Sequence, residues 1–439
     1  MALALDTFGF KKLNIMKKTS YLAMAVFFGL TLMSCEEDEK MNPMATFTVT
    51  IQNVFEGKEY FSSGALEAVP PGETYSFSFQ AGKGYFLSLA TMFAQSNDLF
   101  YAPEGSGLAL YNDSGNPVTG DVTNMFYLWD AGTEVNQEPG VGSDQAPRQT
   151  DPDTGMEENG TIKMLTEVND GFMYPAKEEV ISVMLEHDGK TMFTVTIKNV
   201  SNTANFQTPL APGTWVVHDA GNPIFTPGSS ASDGLEDLAE DGSNSMLTNS
   251  IEQKSGYVSP FAPGVWAIHN MINPLYSIGQ KASSDLEMLA EDGDPSGFLT
   301  SLSGLSGVDM YNVFTMPAGS SGPAPIFPNE QYSFQFEANP GDKLSLATML
   351  VQSNDLFAGV EIDLFQNGKP ISGDISNQLR LLDAMSETNE FPGAGNNQAP
   401  RQSGPDMGEM ENGTVNEVND NFSYPMLSEM LKVSISFMN

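Results

Sequence analysis

Three acids in the first half of the chain stand where hard-cation chemistry is feasible. Asp98 closes an apolar stretch in SNDLF, and Asp130 and Glu134 lie in LWDAGTE, where Gly132 permits a tight turn that swings both carboxylates to one side. If the strand ends meet, three carboxylates converge. Left alone, like charges a few ångströms apart repel, and one of them is forced to keep its proton. A bound Ca²⁺ removes that cost and prefers such oxygen ligands, with backbone carbonyls or water completing the shell. Three histidines and a single cysteine argue against zinc or copper. Read from the residues alone, solvated loop acids explain the pattern equally well.

The set recurs. LATM at Leu89–Met92 returns at Leu346–Met349, and QSNDLF at Gln95–Phe100 returns at Gln352–Phe357. DAGTE at Asp130–Glu134 matches DAMSE at Asp383–Glu387, QAPRQ at Gln145–Gln149 matches Gln398–Gln402, and ENGT at Glu158–Thr161 matches Glu411–Thr414. The chain therefore holds two copies of one unit, and the second acidic set is Asp355, Asp383 and Glu387. Met385 stands there in place of Gly132, which predicts a strained turn and a weaker site.

Period-2 alternation supplies the elements that must position these acids. Phe47, Val49 and Ile51 face one way, as do Tyr75, Phe77 and Phe79, then Tyr332, Phe334 and Phe336. FTVTIQNV at Phe47–Val54 is echoed by FTVTIKNV at Phe193–Val200, and these two segments read as the starts of two domains. The expected organisation is a first domain over residues 45–187 and a second over residues 191–439. The second would carry an insert, residues 209–296, with its own smaller repeat (APGTWVVH and APGVWAIH, followed by ASDGLEDLAEDG and ASSDLEMLAEDG). Helices capped at Asp233 and Ser284, each ending at an Asp-Gly, belong to that insert. The expected fold class is all-β, two antiparallel β-sandwiches with short helices on the second. The long Gly-, Pro- and Asn-rich runs Gly132–Gly160 and Ser386–Gly413 match between copies, which argues for ordered loops.

The N-terminal segment reads as an export signal. Lys17 and Lys18 precede an apolar run from Tyr21 to Met33, too short to span a bilayer, and Leu32-Met33-Ser34-Cys35 closes it like a lipoprotein processing site. Translation is expected to begin at Met16. Residues 1–35 are then the signal segment with a lipidated Cys35, and residues 36–44 form an acidic tether opening with Glu36, Glu37, Asp38 and Glu39. Cys35 is the only cysteine, so no intramolecular disulfide forms and packing and ions must stabilise the domains. The net charge of −37 repels nucleic acid and anionic lipid surfaces. Membrane contact is expected through the lipid alone, at the outer membrane or cell surface.

The segments SNDLF, LWDAGTE with VNQEPGVG, QAPRQ, and APGVW with LAEDGDP resemble the spondin domain, the N-terminal module of F-spondin and mindin, in a bacterial version. The resemblance spans nearly the whole mature chain, residues 191–439 more fully than residues 45–187. It implies a calcium-binding β-sandwich in which Asp98, Asp130 and Glu134 match the family's acidic ligands, and Asp355, Asp383 and Glu387 follow by the repeat. The last ligand is Glu where animal members have Asp, and their cysteines are absent. The family implies extracellular adhesive or ligand-binding work, with a protein or glycan partner, and not catalysis. A structural surface spacer is the alternative, and a carbohydrate-active enzyme using paired acids a more distant one. Arg148 and Arg401 are expected to clamp a carboxylate of their own loop, with a partner's carboxylate as the alternative, and His218 and His269, behind Trp215 and Trp266, to be packed core.

Overall fold

The computed structural model describes residues 44–438. The export segment, Cys35 and all but the last residue of the acidic tether lie outside the described residues. The chain is mostly β, in antiparallel sheets that form two sandwiches, as its alternation predicts.

The first strand sets the arrangement. Ala45–Asn53 alternates buried and half-buried residues, with Phe47, Val49 and Ile51 fully buried. Each such side chain contributes about 1.5–3 kcal/mol by leaving water, and a one-residue slip would turn all three outward, so the register is fixed. This strand lies between Gln331–Ala338 and Leu431–Met438, with Phe47 opposite Phe336 on one side and Phe437 on the other. It is an inner strand of the C-terminal sandwich. Its look-alike Met192–Asn199 instead lies between Thr74–Gln80 and Ile181–His187, in the other sandwich.

The smaller repeat is likewise shared out. Leu210–His218 lies between Ser62–Leu66 and Phe86–Phe93, while Phe261–His269 lies between Val308–Phe314 and Lys343–Leu350. The sheets therefore do not divide at residues 187–191. One sandwich is the continuous stretch from about residue 60 to residue 256, and the other combines the strand Ala45–Asn53 with residues after 257. The chain enters and leaves the inserted sandwich at adjacent points, where Tyr60 bridges Ser255. The two sandwiches are circular permutations of each other: the C-terminal one begins with its FTVTI strand, whereas the inserted one reaches its FTVTI strand only about two-thirds of the way along, before Leu210–His218 and two helices. Residues 209–296 are consequently not an insert in one domain but equivalent elements of both.

Each sandwich carries helices on the outer face of one sheet. In Asp233–Asp241, Leu235, Leu238 and Ala239 are buried, and in Ser284–Asp292, Leu286, Leu289 and Ala290 are buried, the faces expected. The caps fall one residue earlier than expected: the Ser232 and Ser283 side chains accept from the N–H groups of Leu235 and Leu286. Gly242 and Gly293 close the helices in the left-handed conformation. Between the sheets, Trp215 stacks on Phe77 at 5.2 Å and Trp266 on Phe334 at 5.0 Å. Among the described residues, no helix is long and apolar enough to cross a membrane.

Candidate metal centres

Antiparallel pairing of Leu99–Ala102 with Tyr127–Asp130 sets Leu99 opposite Asp130 and brings the Ala131 N–H to the Asp98 carbonyl at 3.1 Å. The Asp98 and Asp130 carboxylates thus share one strand end. Gly132, at φ 70°, closes the turn: its N–H donates to Asp130 Oδ1 at 2.8 Å, and the next two N–H groups, of Thr133 and Glu134, donate to Asp98 Oδ2 at 2.8 and 3.2 Å. Asn136 Nδ2 donates to Asp130 Oδ2 at 2.7 Å. Asp98 Oδ1 is buried and has no hydrogen-bond partner.

The second copy repeats this arrangement. Met385, Ser386 and Glu387 present their N–H groups to Asp383 Oδ1 and Asp355 Oδ2 at 2.7–3.1 Å, and Asp355 Oδ1 is again buried without a partner. Met385 is forced to φ 55°, so the strain expected from losing the glycine is present, yet the turn closes in the same way.

Glu134 and Glu387 do not join their aspartates through their side chains. Glu134 Oε2 accepts from Asn97 Nδ2 at 3.0 Å and Oε1 from the Gly155 N–H at 2.7 Å, which turns its carboxylate toward Asp153 and Glu240. In the second copy, Glu387 accepts from the Gly408 N–H at 2.7 Å and groups with Glu291 and Asp406. Each of these triplets could hold a metal ion. Sequence reasoning missed Asp153, Glu240, Glu291 and Asp406. The signal was there, because LAEDG recurs and both loops place an aspartate two residues before the glycine that meets the glutamate.

Both centres are acid-rich, and burial raises the pKa values of their carboxyls. Desolvation, reinforced by Asp130, pushes Asp98 well above the ordinary carboxylate range, and Asp383 rises for the same reason beside Asp355. Glu240 is pushed up to about 8 and Glu291 to about 7, in each case chiefly by desolvation. One difference separates the copies. Burial raises the Asp130 pKa, and Lys163, opposite it in the sheet, offsets part of that rise, whereas Asn416 occupies that place opposite Asp383.

The loops between these acids are stapled, not free. Gln145 is fully buried, donating to Asn97 Oδ1 and to the carbonyls of Gln137 and Glu138, and accepting from Gly140. Arg148 and Arg401 donate to the Gly142 and Gly395 carbonyls, both at 2.7 Å, and to the side chains of Gln145 and Gln398. They hold loop carbonyls and amides, not the carboxylate expected of them. The reason is that the folded-back loop offers those oxygens at close range.

A pair that sequence reasoning did not find also recurs. His218 Nε2 lies 2.9 Å from Ser88 Oγ, and His269 Nε2 lies 2.8 Å from Ser345 Oγ, with both Nδ1 atoms against backbone carbonyls. All four residues are buried, and desolvation lowers both histidine pKa values. They are satisfied core groups, as expected of histidines behind the strand tryptophans. No protein-family model matches the chain, and no curated protein matches it either.

Proposed function

We propose that the protein is an exported, lipid-anchored calcium-binding protein of the cell surface, whose two spondin-like sandwiches present ordered loops to an extracellular protein or glycan. The observation that carries the calcium reading is the unpartnered, fully buried Oδ1 of Asp98, repeated at Asp355. A buried acceptor without a donor costs stability unless a cation or proton meets it, and finding the same orphan in both copies argues for a purpose. In the proposed centres Asp98 with Asp130, and Asp355 with Asp383, hold the ion, while Glu134 and Glu387 bridge to the neighbouring triplets. Calcium would supply charge neutralisation that locks the strand end to the long loop. Hard, crowded carboxylate oxygens suit it.

The test is thermal melting of the chelated protein with and without added Ca²⁺. A rise in Tm on adding Ca²⁺, strongly reduced in Asp98→Asn with Asp355→Asn, supports the reading by mass action. No rise, or a full rise in the double variant, counts against it. Adhesion and spacer roles part on a glycan and matrix-protein screen in Ca²⁺ or EDTA, where chelator-sensitive binding supports adhesion.

A further inference from the structure

The C-terminal sandwich meets the inserted one through the tip of a single loop, residues 391–401. Tyr85 Oη donates to the Gly393 carbonyl at 3.0 Å, and the Lys83 N–H donates to Asn396 Oδ1 at 2.8 Å. Asn396 Nδ2 in turn donates to Tyr111 Oη at 3.1 Å. Phe391 meets the Phe61 ring edge to face, and the Arg401 guanidinium lies over the Tyr85 ring. The backbones come so close that a Cβ on Gly82 would run into the Ala394 carbonyl. Otherwise the chain crosses between the sandwiches near the Tyr60–Ser255 bridge, so their relative angle depends on this seam.

The same loop begins at the second metal centre. Asn354, next to Asp355 and 1 % exposed, accepts from the Glu390 N–H at 2.9 Å and donates to Glu387 Oε2 at 3.3 Å. Gln352, two residues further back, accepts from the Gly393 N–H at 3.0 Å and from Arg401 Nη2 at 2.7 Å. Only a few residues and an unbroken run of hydrogen bonds therefore separate the orphaned Asp355 Oδ1 from the seam.

Comparison of the copies shows that the contact is specialised. In the inserted sandwich the equivalent loop keeps its internal staples, yet its tip faces solvent: Val141 is 67 % exposed where Ala394 is fully buried. The seam residues Phe391 and Asn396 are matched there by Glu138 and Ser143, which supply neither the ring nor the amide. The receiving face differs as well, because Gly82 and Tyr85 are matched by Asn339 and Asp342 in the C-terminal sandwich. The seam fits one loop to one face.

We propose that a calcium ion at Asp355 and Asp383 fixes the orientation of the two sandwiches through this loop, and that an ion at Asp98 and Asp130 does not. The proposal rests on the calcium reading of the centres. With the ion gone, crowded carboxylates repel each other and loosen the turn whose Ser386 and Glu387 N–H groups they accept. The loop that follows loses its anchor, and the seam loses its only long loop. At the first centre the same loosening frees a loop whose tip holds nothing in place.

The test measures the distance between nitroxide labels by pulsed electron spin resonance. The labels sit at Ser114→Cys and Ser321→Cys, exposed places on the two sandwiches, in the mature chain carrying Cys35→Ser. Calcium binding is followed on the same samples by calorimetry, and circular dichroism verifies folding. The distance distribution should narrow about twofold when Ca²⁺ replaces EDTA, in the parent and in Asp98→Asn alike, and stay broad in Asp355→Asn. Phe391→Glu with Asn396→Ser, which installs the residues of the other copy, should bind Ca²⁺ as the parent does and still stay broad. Calcium bound at the second centre without any narrowing overturns the coupling and leaves the calcium reading standing. So does narrowing lost equally in Asp98→Asn, or retained in the seam variant. A parent that binds no Ca²⁺ overturns both.

Discussion

The N–H of Gly155 donates to Glu134 Oε1 at 2.7 Å, and a Cβ on Gly155 would lie only 2.0 Å from the same carboxylate. Gly408 and Glu387 repeat both distances. Loop and acid are thus fitted to each other at a point where only glycine passes. Gly155→Ala must expel the Glu134 side chain. It should cost about 1–3 kcal/mol of stability and blunt the calcium response of the inserted sandwich. Differential scanning calorimetry with and without Ca²⁺ reads both effects, and a variant that melts and responds like the parent would refute the fit.

Lys163 acts as a resident cation beside Asp130, and Asn416 replaces it in the other copy. Lys163→Asn should therefore tighten calcium binding in the inserted sandwich. It should also lower the stability of the chelated protein, because the acids lose a compensating charge. Equilibrium titration of Ca²⁺ checks this, and weaker binding in the variant would go against it.

Chelated protein should lose stability as pH rises from about 5 to 8. Glu240, pushed up to about 8, and Glu291, up to about 7, hold protons in the folded state that the unfolded chain releases near 4.5. Their contribution is complete below the unfolded value and disappears as pH climbs through the folded one. His218 and His269 act in the opposite sense: their lowered pKa values give a contribution that is present above 6.5 and lost as pH falls. Calcium should flatten the alkaline side of the profile. Melts across pH with EDTA or Ca²⁺ decide the matter, and a chelated Tm that climbs steadily to pH 8 would contradict the acid-rich centres.

The strand exchange makes a prediction of its own. Val49→Asp buries a charge in the middle of the strand Ala45–Asn53 and should unfold the C-terminal sandwich while sparing the inserted one. Limited proteolysis should then leave a resistant fragment of about residues 60–256. If the division lay near residue 187, the resistant piece would instead begin near residue 191.

The faces of these strands were legible in the sequence, and their partners were not. Phe47, Val49 and Ile51 alternate as Phe193, Val195 and Ile197 do, so either segment satisfies either sandwich. Periodicity states which side is buried and is silent about which sheet buries it. Chain order favoured the nearer partner, whereas the fold closes the C-terminal sheet around a strand almost 280 residues upstream of Gln331. At the site, Asp98 and Asp130 were readable because one strand end and one tight turn bring them together. Glu134 was only half readable: its N–H meets Asp98 while its carboxylate turns away, a distinction that residue spacing does not carry. Glu240 and Glu291 sit at the ends of helices that looked ornamental, and only the three-dimensional fold sets them against Glu134 and Glu387.

The most direct measurement is calorimetric titration of Ca²⁺ into the chelator-stripped mature chain, compared with Asp98→Asn, Asp355→Asn and the double variant. The account predicts saturable binding in the parent, loss of one class of sites in each single variant, and loss of both classes in the double variant. Heat of binding that is absent from the parent, or unchanged when both Asp98 and Asp355 are replaced, would contradict it.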